Sequence, residues 1–126
     1  MKKIMLCLFL IVNTVYAQKR DVIYRITADS YPTIGYAYVV SVLYLKEGNS
    51  YRLLEQQYNS RKMARKNILR RSNDEYGVWK MIGDTLELYD DKNRPPAKFI
   101  IIDDKKIAFL FDDNERSDSY WRKVKN

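Results

Sequence analysis

The chain of 126 residues has no histidine and a single cysteine, Cys7, which lies in an apolar N-terminal segment. Those two shortages exclude a disulfide scaffold, a Cys/His zinc site, and Ser-His-Asp or Cys-His catalysis. An enzyme built from this chain would have to rely on carboxylates, lysines or tyrosines, and no pair of these has a geometric reason to be nominated. Helical periodicity is nearly absent. No internal repeat, low-complexity tract or linker divides the chain, so it reads as one small domain. Nothing in it asks for a cofactor.

What is present begins with an export pattern. Lys2 and Lys3 form a basic start, Ile4 to Val12 an apolar run and Val15-Tyr16-Ala17 a small-residue cleavage site, the layout of a secretory signal peptide over residues 1–17. The apolar run is too short to span a bilayer. A bacterial lipid anchor needs cysteine at the first mature position, which is Gln18. The expectation is a periplasmic or extracellular protein without lipid anchor or transmembrane segment. Cleavage leaves 109 of the 126 residues and lowers the net charge from +7 to +5. A chain of that length can bury one modest core.

From Asp21 onward apolar residues alternate with polar ones or form short β-branched and aromatic runs, with turn residues every 8–12 positions or so, roughly the spacing of sandwiches and barrels. Strands are expected over 22–26, 35–45, 51–58, 76–81, 85–89, 97–102, 107–111 and 119–124. Tyr36, Tyr38, Val40, Val42 and Tyr44 share one face of the second and Ala37, Val39, Leu43 and Leu45 the other, which suits a strand covered on both sides or strongly curved. Gly48-Asn49 reads as a hairpin turn. The stretch from Ser60 to Arg71 is open to a short helix or a loop, and is read as a loop feeding a further strand over 67–72. Short connections require an antiparallel meander. Eight or nine strands in so short a chain would leave long free edges in an open sheet, so the fold class is all-β, a small closed barrel over residues 18–126.

The segment Gly77-Val78-Trp79-Lys80-Met81-Ile82-Gly83-Asp84-Thr85-Leu86-Glu87-Leu88 resembles the G-x-W-x-x-x-G-D-T-L-x-L hairpin of small exported lipocalin-like proteins of Gram-negative bacteria, the NlpE-like envelope lipoproteins among them. The resemblance implies a calycin-like barrel and an envelope location. The lipid-anchor cysteine and the Cys-x-x-Cys of NlpE-like proteins are both missing, so neither anchoring nor copper handling follows. On physical grounds Trp79 can plug the end of a small barrel, Gly77 lets a ring or backbone approach closely, and Gly83-Asp84 supplies the turn.

Few constellations could carry chemistry. The loop Asp112-Asp113-Asn114-Glu115-Arg116-Ser117-Asp118 has oxygen ligands enough for calcium, but it lacks the turn glycine and Arg116 falls at a ligand position, so it is read as a hairpin loop without metal. Glu55 and Glu87 are carboxylates of the kind a glycosidase pairs. The basic run contributes six cations in eleven residues, Arg61, Lys62, Arg65, Lys66, Arg70 and Arg71. It is either a solvated face or a site for an anionic envelope component, nucleic acid being removed by export. Tyrosine is abundant, eleven in all. Tyr36, Tyr38, Tyr44, Trp79 and Trp121 are candidate ligand contacts, with packing as the simpler role for each.

Two functions are therefore expected in parallel. One is a non-enzymatic envelope protein that binds a small apolar or amphipathic ligand in the manner of a lipocalin. The other is a protein-interaction module, an inhibitor or stress-sensor accessory, that uses the basic segment 60–71.

Overall fold

A computed structural model describes residues 21–33 and 35–124; the expected leader lies outside them. The described residues form eight strands, β1 (Val22–Ser30), β2 (Ala37–Leu45), β3 (Ser50–Tyr58), β4 (Arg71–Ile82), β5 (Thr85–Asp90), β6 (Ala97–Asp103), β7 (Lys106–Leu110) and β8 (Arg116–Lys123), with one α-helical turn, α1 (Arg61–Arg65), and a 3-10 turn over Glu47–Asn49 between β2 and β3. Each strand pairs antiparallel with its sequence neighbours, and β8 returns to β1 to close a barrel. The expected closed meander is what forms. Among the described residues no helix is long and apolar enough to cross a membrane.

The count is eight because no separate strand forms over 67–72: residues 67–70 close the helical turn and lead on, and 71–72 already belong to β4, which runs on through 76–81. Asn73, Asp74 and Glu75 have weak or no intrinsic strand preference, yet they pair in register with Glu55, Leu54 and Leu53 of β3. Pairing decides the state of such residues more than propensity does.

Alternation sorts the side chains. Tyr24, Leu43, Leu45, Tyr51, Leu86, Leu88, Phe99 and Ile107 form the buried core, with Leu53, Trp79, Phe109 and Trp121 against it. The register sets these residues opposite one another on the inner wall: Tyr24 faces Leu43, Leu45 faces Tyr51, Leu86 faces Phe99 and Ile107 faces Trp121. Phe99 sits among edge-on rings, with Phe109 at 5.5 Å and Trp121 at 5.4 Å between centroids. Leu43, Leu86 and Ile107 are wholly shielded from solvent, so side chains fill the barrel at this level.

Closure runs along only part of the barrel's height. β1 to β4 have nine to twelve residues and β5 to β8 have five to eight. β4 pairs with β5 only from Gly77 to Ile82. β1 meets β8 only at Tyr24 with Lys123 and Arg25 with Arg122. The wall is thus continuous at the end carrying the turns 46–49, 83–84 and 104–105. At the opposite end β1 to β4 stand as a four-stranded sheet with a gap on either side. The chain cannot fill the gap beside β4, because the segment after β5 holds Pro95 and Pro96, which lack the N–H a ladder needs.

Residues 61–65 correct the expectation of a loop: they form α1. The Ser60 hydroxyl accepts the Met63 N–H at 3.1 Å and starts the turn. Asn67, at φ 57°, ends it, with Asn67 N–H donating to the Ala64 carbonyl and Ile68 N–H to that of Met63. Those two bonds are a Schellman closure. The helix lies back on β3, on the outer face where Val40 and Tyr58 are buried.

Candidate functional site

The Gly77-x-Trp79 pair of β4 organises both ends of the barrel. A Cβ at Gly77 would stand 2.0 Å from the Tyr89 carbonyl oxygen and 2.7 Å from Cε1 of Tyr51, so the missing side chain is the space in which the Tyr51 ring lies. Two residues along and on the same inner face, Trp79 donates its indole N–H to the Lys46 carbonyl at 3.2 Å. That bond ties the plugging residue to the β2–β3 turn.

Beside Trp79, at the closed end, a pocket of about 250 Å³ is lined by Val22, Tyr24, Leu45, Trp79 and Met81, with Lys46, Glu47 and Lys123 at its rim. Burial, and to a smaller extent the charge of Asp103, raises the Tyr24 phenol above its ordinary pKa and keeps it neutral there. The pocket has an apolar lining and a net positive rim.

The open end is polar. A cleft of about 480 Å³ is lined by Leu53, Glu55, Asn73, Asp74, Glu75, Tyr76, Asp91, Lys92 and Arg94. At its floor the buried Tyr51 hydroxyl donates to Glu75 at 3.0 Å. Arg94 reaches across from the β5–β6 loop to bond Glu75 at 3.1 Å and also Asp90. Burial first, then the hydrogen bond to Glu75, push the Tyr51 phenol well up. The Arg94 guanidinium holds Asp90 below the usual carboxylate range. The chain Tyr51–Glu75–Arg94–Asp90 thus joins the core to the loop across the break in the wall.

Several residues singled out from the sequence lie elsewhere. Tyr38 and Tyr44 alternate with the core residues of β2 and face outward, Tyr38 under the Arg61 guanidinium and Tyr44 under that of Arg52. Tyr36 sits at the rim and donates to Asp29 at 2.5 Å. Trp121 packs in the core, and of the five aromatics Trp79 is the one lining the closed-end pocket. Glu55 faces the cleft with the Gln57 amide at 3.0 Å. Glu87, between inward Leu86 and Leu88, points outward to Tyr89 and Lys98, so the barrel wall separates the two carboxylates and they form no pair. The expected loop 112–118 is shorter, since residues 116–118 already belong to β8, and it closes on itself, Phe111 N–H donating to the Glu115 carbonyl and Asn114 N–H to that of Phe111.

Of the six basic residues, Arg61 is held by Asp29 at 3.0 Å, and Arg70 donates to the Tyr36 carbonyl, Asn59 and Gln57. Lys62, Arg65, Lys66 and Arg71 are exposed. Sequence reasoning named neither the closed-end pocket nor the Tyr51–Glu75–Arg94 chain. For the second a signal existed: the glycine facing a tyrosine in the neighbouring strand.

No protein-family model matches the chain, and no curated protein matches it. Among solved structures the barrel superposes on the Cpx pathway activator NlpE from Escherichia coli, with a TM-score of 0.58 over 83% of this chain, at 17% identity. The fold is an NlpE-like barrel. This chain spans about half the length of that NlpE structure, so the likeness concerns the barrel and not the whole of NlpE.

Proposed function

We propose that the chain is a non-enzymatic, exported protein of the bacterial envelope that holds a small amphipathic anion, a short acyl chain with an acidic head, at the closed end of its barrel. The observation that supports this reading is the apolar pocket between Val22, Leu45, Trp79 and Met81 with two lysines at its rim. A volume of about 250 Å³ suits roughly eight methylene-sized groups at about 30 Å³ each. It is smaller than a typical drug-sized site, and the filled core above it limits the ligand to a short chain. The signal pattern over residues 1–17 and the NlpE-like barrel both favour the envelope as its place of work.

Calorimetric titration with octanoate tests the proposal. Saturable binding is expected, weakened at least tenfold in Met81→Asp, in the apolar lining, and in Lys46→Glu, at the rim. Octylamine, with the opposite charge, should bind more weakly. Equal heats for the two amphiphiles, or an unchanged isotherm in Met81→Asp, would remove the closed end as the site.

The alternative, an interaction module using the segment 60–71, also has an observation behind it. Lys62, Arg65, Lys66 and Arg71 have no acidic partner among the described residues. Recovery of envelope partners by wild type but not by a variant with Arg61, Lys62, Arg65 and Lys66 neutralised would favour it over the carrier reading.

A further inference from the structure

The upper half of β4 is a strand with one neighbour. The register fixes which of its backbone groups are free. Lys46 N–H donates to the Ser50 carbonyl, so the adjacent pair Leu45–Tyr51 is a non-bonded one and Tyr51 turns its N–H and C=O towards β4. Counting on by twos, Glu75 and Asn73 bond β3 through their pairs with Leu53 and Glu55. Ser72 and Asp74, between them, turn their N–H and C=O to the other side. The two-residue hairpin that pairs Ile82 with Thr85 gives the same phase from the β5 side. There β5 has already ended, and these four groups have no hydrogen-bond partner among the described residues. Asp74 lines the cleft of about 480 Å³, and Ser72 continues the same edge beyond it.

We propose that this edge is a docking strand for an extended peptide carrying two adjacent basic residues, which would add to the sheet where β5 stops. Backbone pairing supplies the attraction common to every added strand, and alternate side-chain positions supply selectivity. A residue opposite Asp74 points outward beside Asp74 and Tyr76. Its neighbour, opposite Glu75, points inward towards the side of the wall that Glu55 shares. Asp74 and Glu75 already take guanidinium groups of the chain itself, Arg52 at 2.7 Å and Arg94 at 3.1 Å, so the peptide's basic pair exchanges with these arginines or meets Glu55 and Asp91, which line the same cleft and stand in no ion pair among the described residues. The cleft lining holds four carboxylates, Glu55, Asp74, Glu75 and Asp91, against Lys92 and Arg94, in a protein whose net charge is +7. The corresponding gap beside β1 is lined by Arg25, Arg122 and Lys123 with no acid, so a basic peptide is steered to the β4 edge and away from the β1 edge. This site lies at the end opposite the proposed acyl pocket and does not depend on it.

The test uses the exported chain and a fluorescein-labelled nine-residue peptide with a central Lys-Arg pair between β-branched residues, read by anisotropy. Saturable binding is expected. It should fall at least tenfold for the same peptide with Glu-Glu at the centre, for the peptide N-methylated at alternate amides, and for the protein variant Asp74→Lys/Asp91→Lys, whose unchanged melting temperature would show that the fold is intact. Should that variant melt early, the N-methylated peptide on wild type decides alone. Absence of binding at millimolar protein, indifference to N-methylation, or equal binding of the acidic peptide would overturn the proposal. So would concentration-dependent dimerisation blocked by Asp74→Lys, which would make a second copy of the chain the occupant.

Discussion

Replacing Gly77 with alanine adds one methyl group at the most crowded point of the barrel. Its contacts at 2.0 Å to the Tyr89 oxygen and 2.7 Å to the Tyr51 ring compare with ordinary separations of about 3.5–4.0 Å, so the β4–β5 backbone and the Tyr51 ring must both give way, each by roughly 1 Å or more. Backbone cannot give that much without breaking the ladder of β4 with β5. As the Tyr51 ring moves too, its bond to Glu75 is lost and a core aromatic is displaced. Overpacking costs about 1–3 kcal/mol and an orphaned buried hydroxyl about 1–3 kcal/mol, together about 2–6 kcal/mol. For a domain of this size each kcal/mol lowers Tm by about 4–8 °C, so Gly77→Ala should melt at least about 8 °C below wild type by circular dichroism. Gly83→Ala is the control. A Cβ there meets nothing within 4 Å, and only the φ of +62° opposes it, about 1–2 kcal/mol. A melting temperature for Gly77→Ala no lower than that of Gly83→Ala would refute the close-approach argument.

Other substitutions probe the remaining supports. Leu43→Ala empties a fully shielded position and should cost about 2–5 kcal/mol in urea unfolding. Ser60→Ala removes the cap of α1, at about 1 kcal/mol, and a loss confined to amides 63–68 in hydrogen exchange would show it to be local. The pH dependence has two limbs of opposite sign. Asp90 is held below its ordinary pKa by Arg94, so its stabilising effect is present above the unfolded carboxyl pKa and disappears as pH falls through the lowered folded value. Arg94→Gln should therefore flatten the acid limb of a plot of Tm against pH. Tyr51 is raised, so its contribution is present below the unfolded phenol value near pH 10 and is lost as pH rises through the folded one. Tyr51→Phe should flatten the alkaline limb.

The closed barrel was legible because its evidence is period-two alternation, a property of side chains alone. Val22-x-Tyr24, Leu43-x-Leu45 and Leu86-x-Leu88 each name a buried face without knowing their neighbours. Strand ends were less visible: Asn73 to Glu75 are strand because Glu55 to Leu53 hold them, which no local pattern expresses. The helical turn after Ser60 was readable from its caps, Ser60 and Asn67, more than from Met63 and Ala64, since five residues are too few for an apolar stripe. Tyr38 and Tyr44 followed the alternation faithfully, and that same alternation puts them outside once Leu43 and Leu45 are inside. The incomplete wall lay beyond sequence reading because it depends on relative strand lengths and on two prolines falling where a ladder would have continued.

The central claim is a barrel sealed at one end and parted at the other, and residue-resolved amide hydrogen exchange along β4 tests it most directly. The account predicts slow exchange from Val78 to Met81 at amides facing β5, slow exchange at Asn73 and Glu75, which face β3, and fast exchange at Ser72 and Asp74 between them. Uniform protection from Ser72 through Ile82 would mean that the wall is closed along its whole height, and would contradict it.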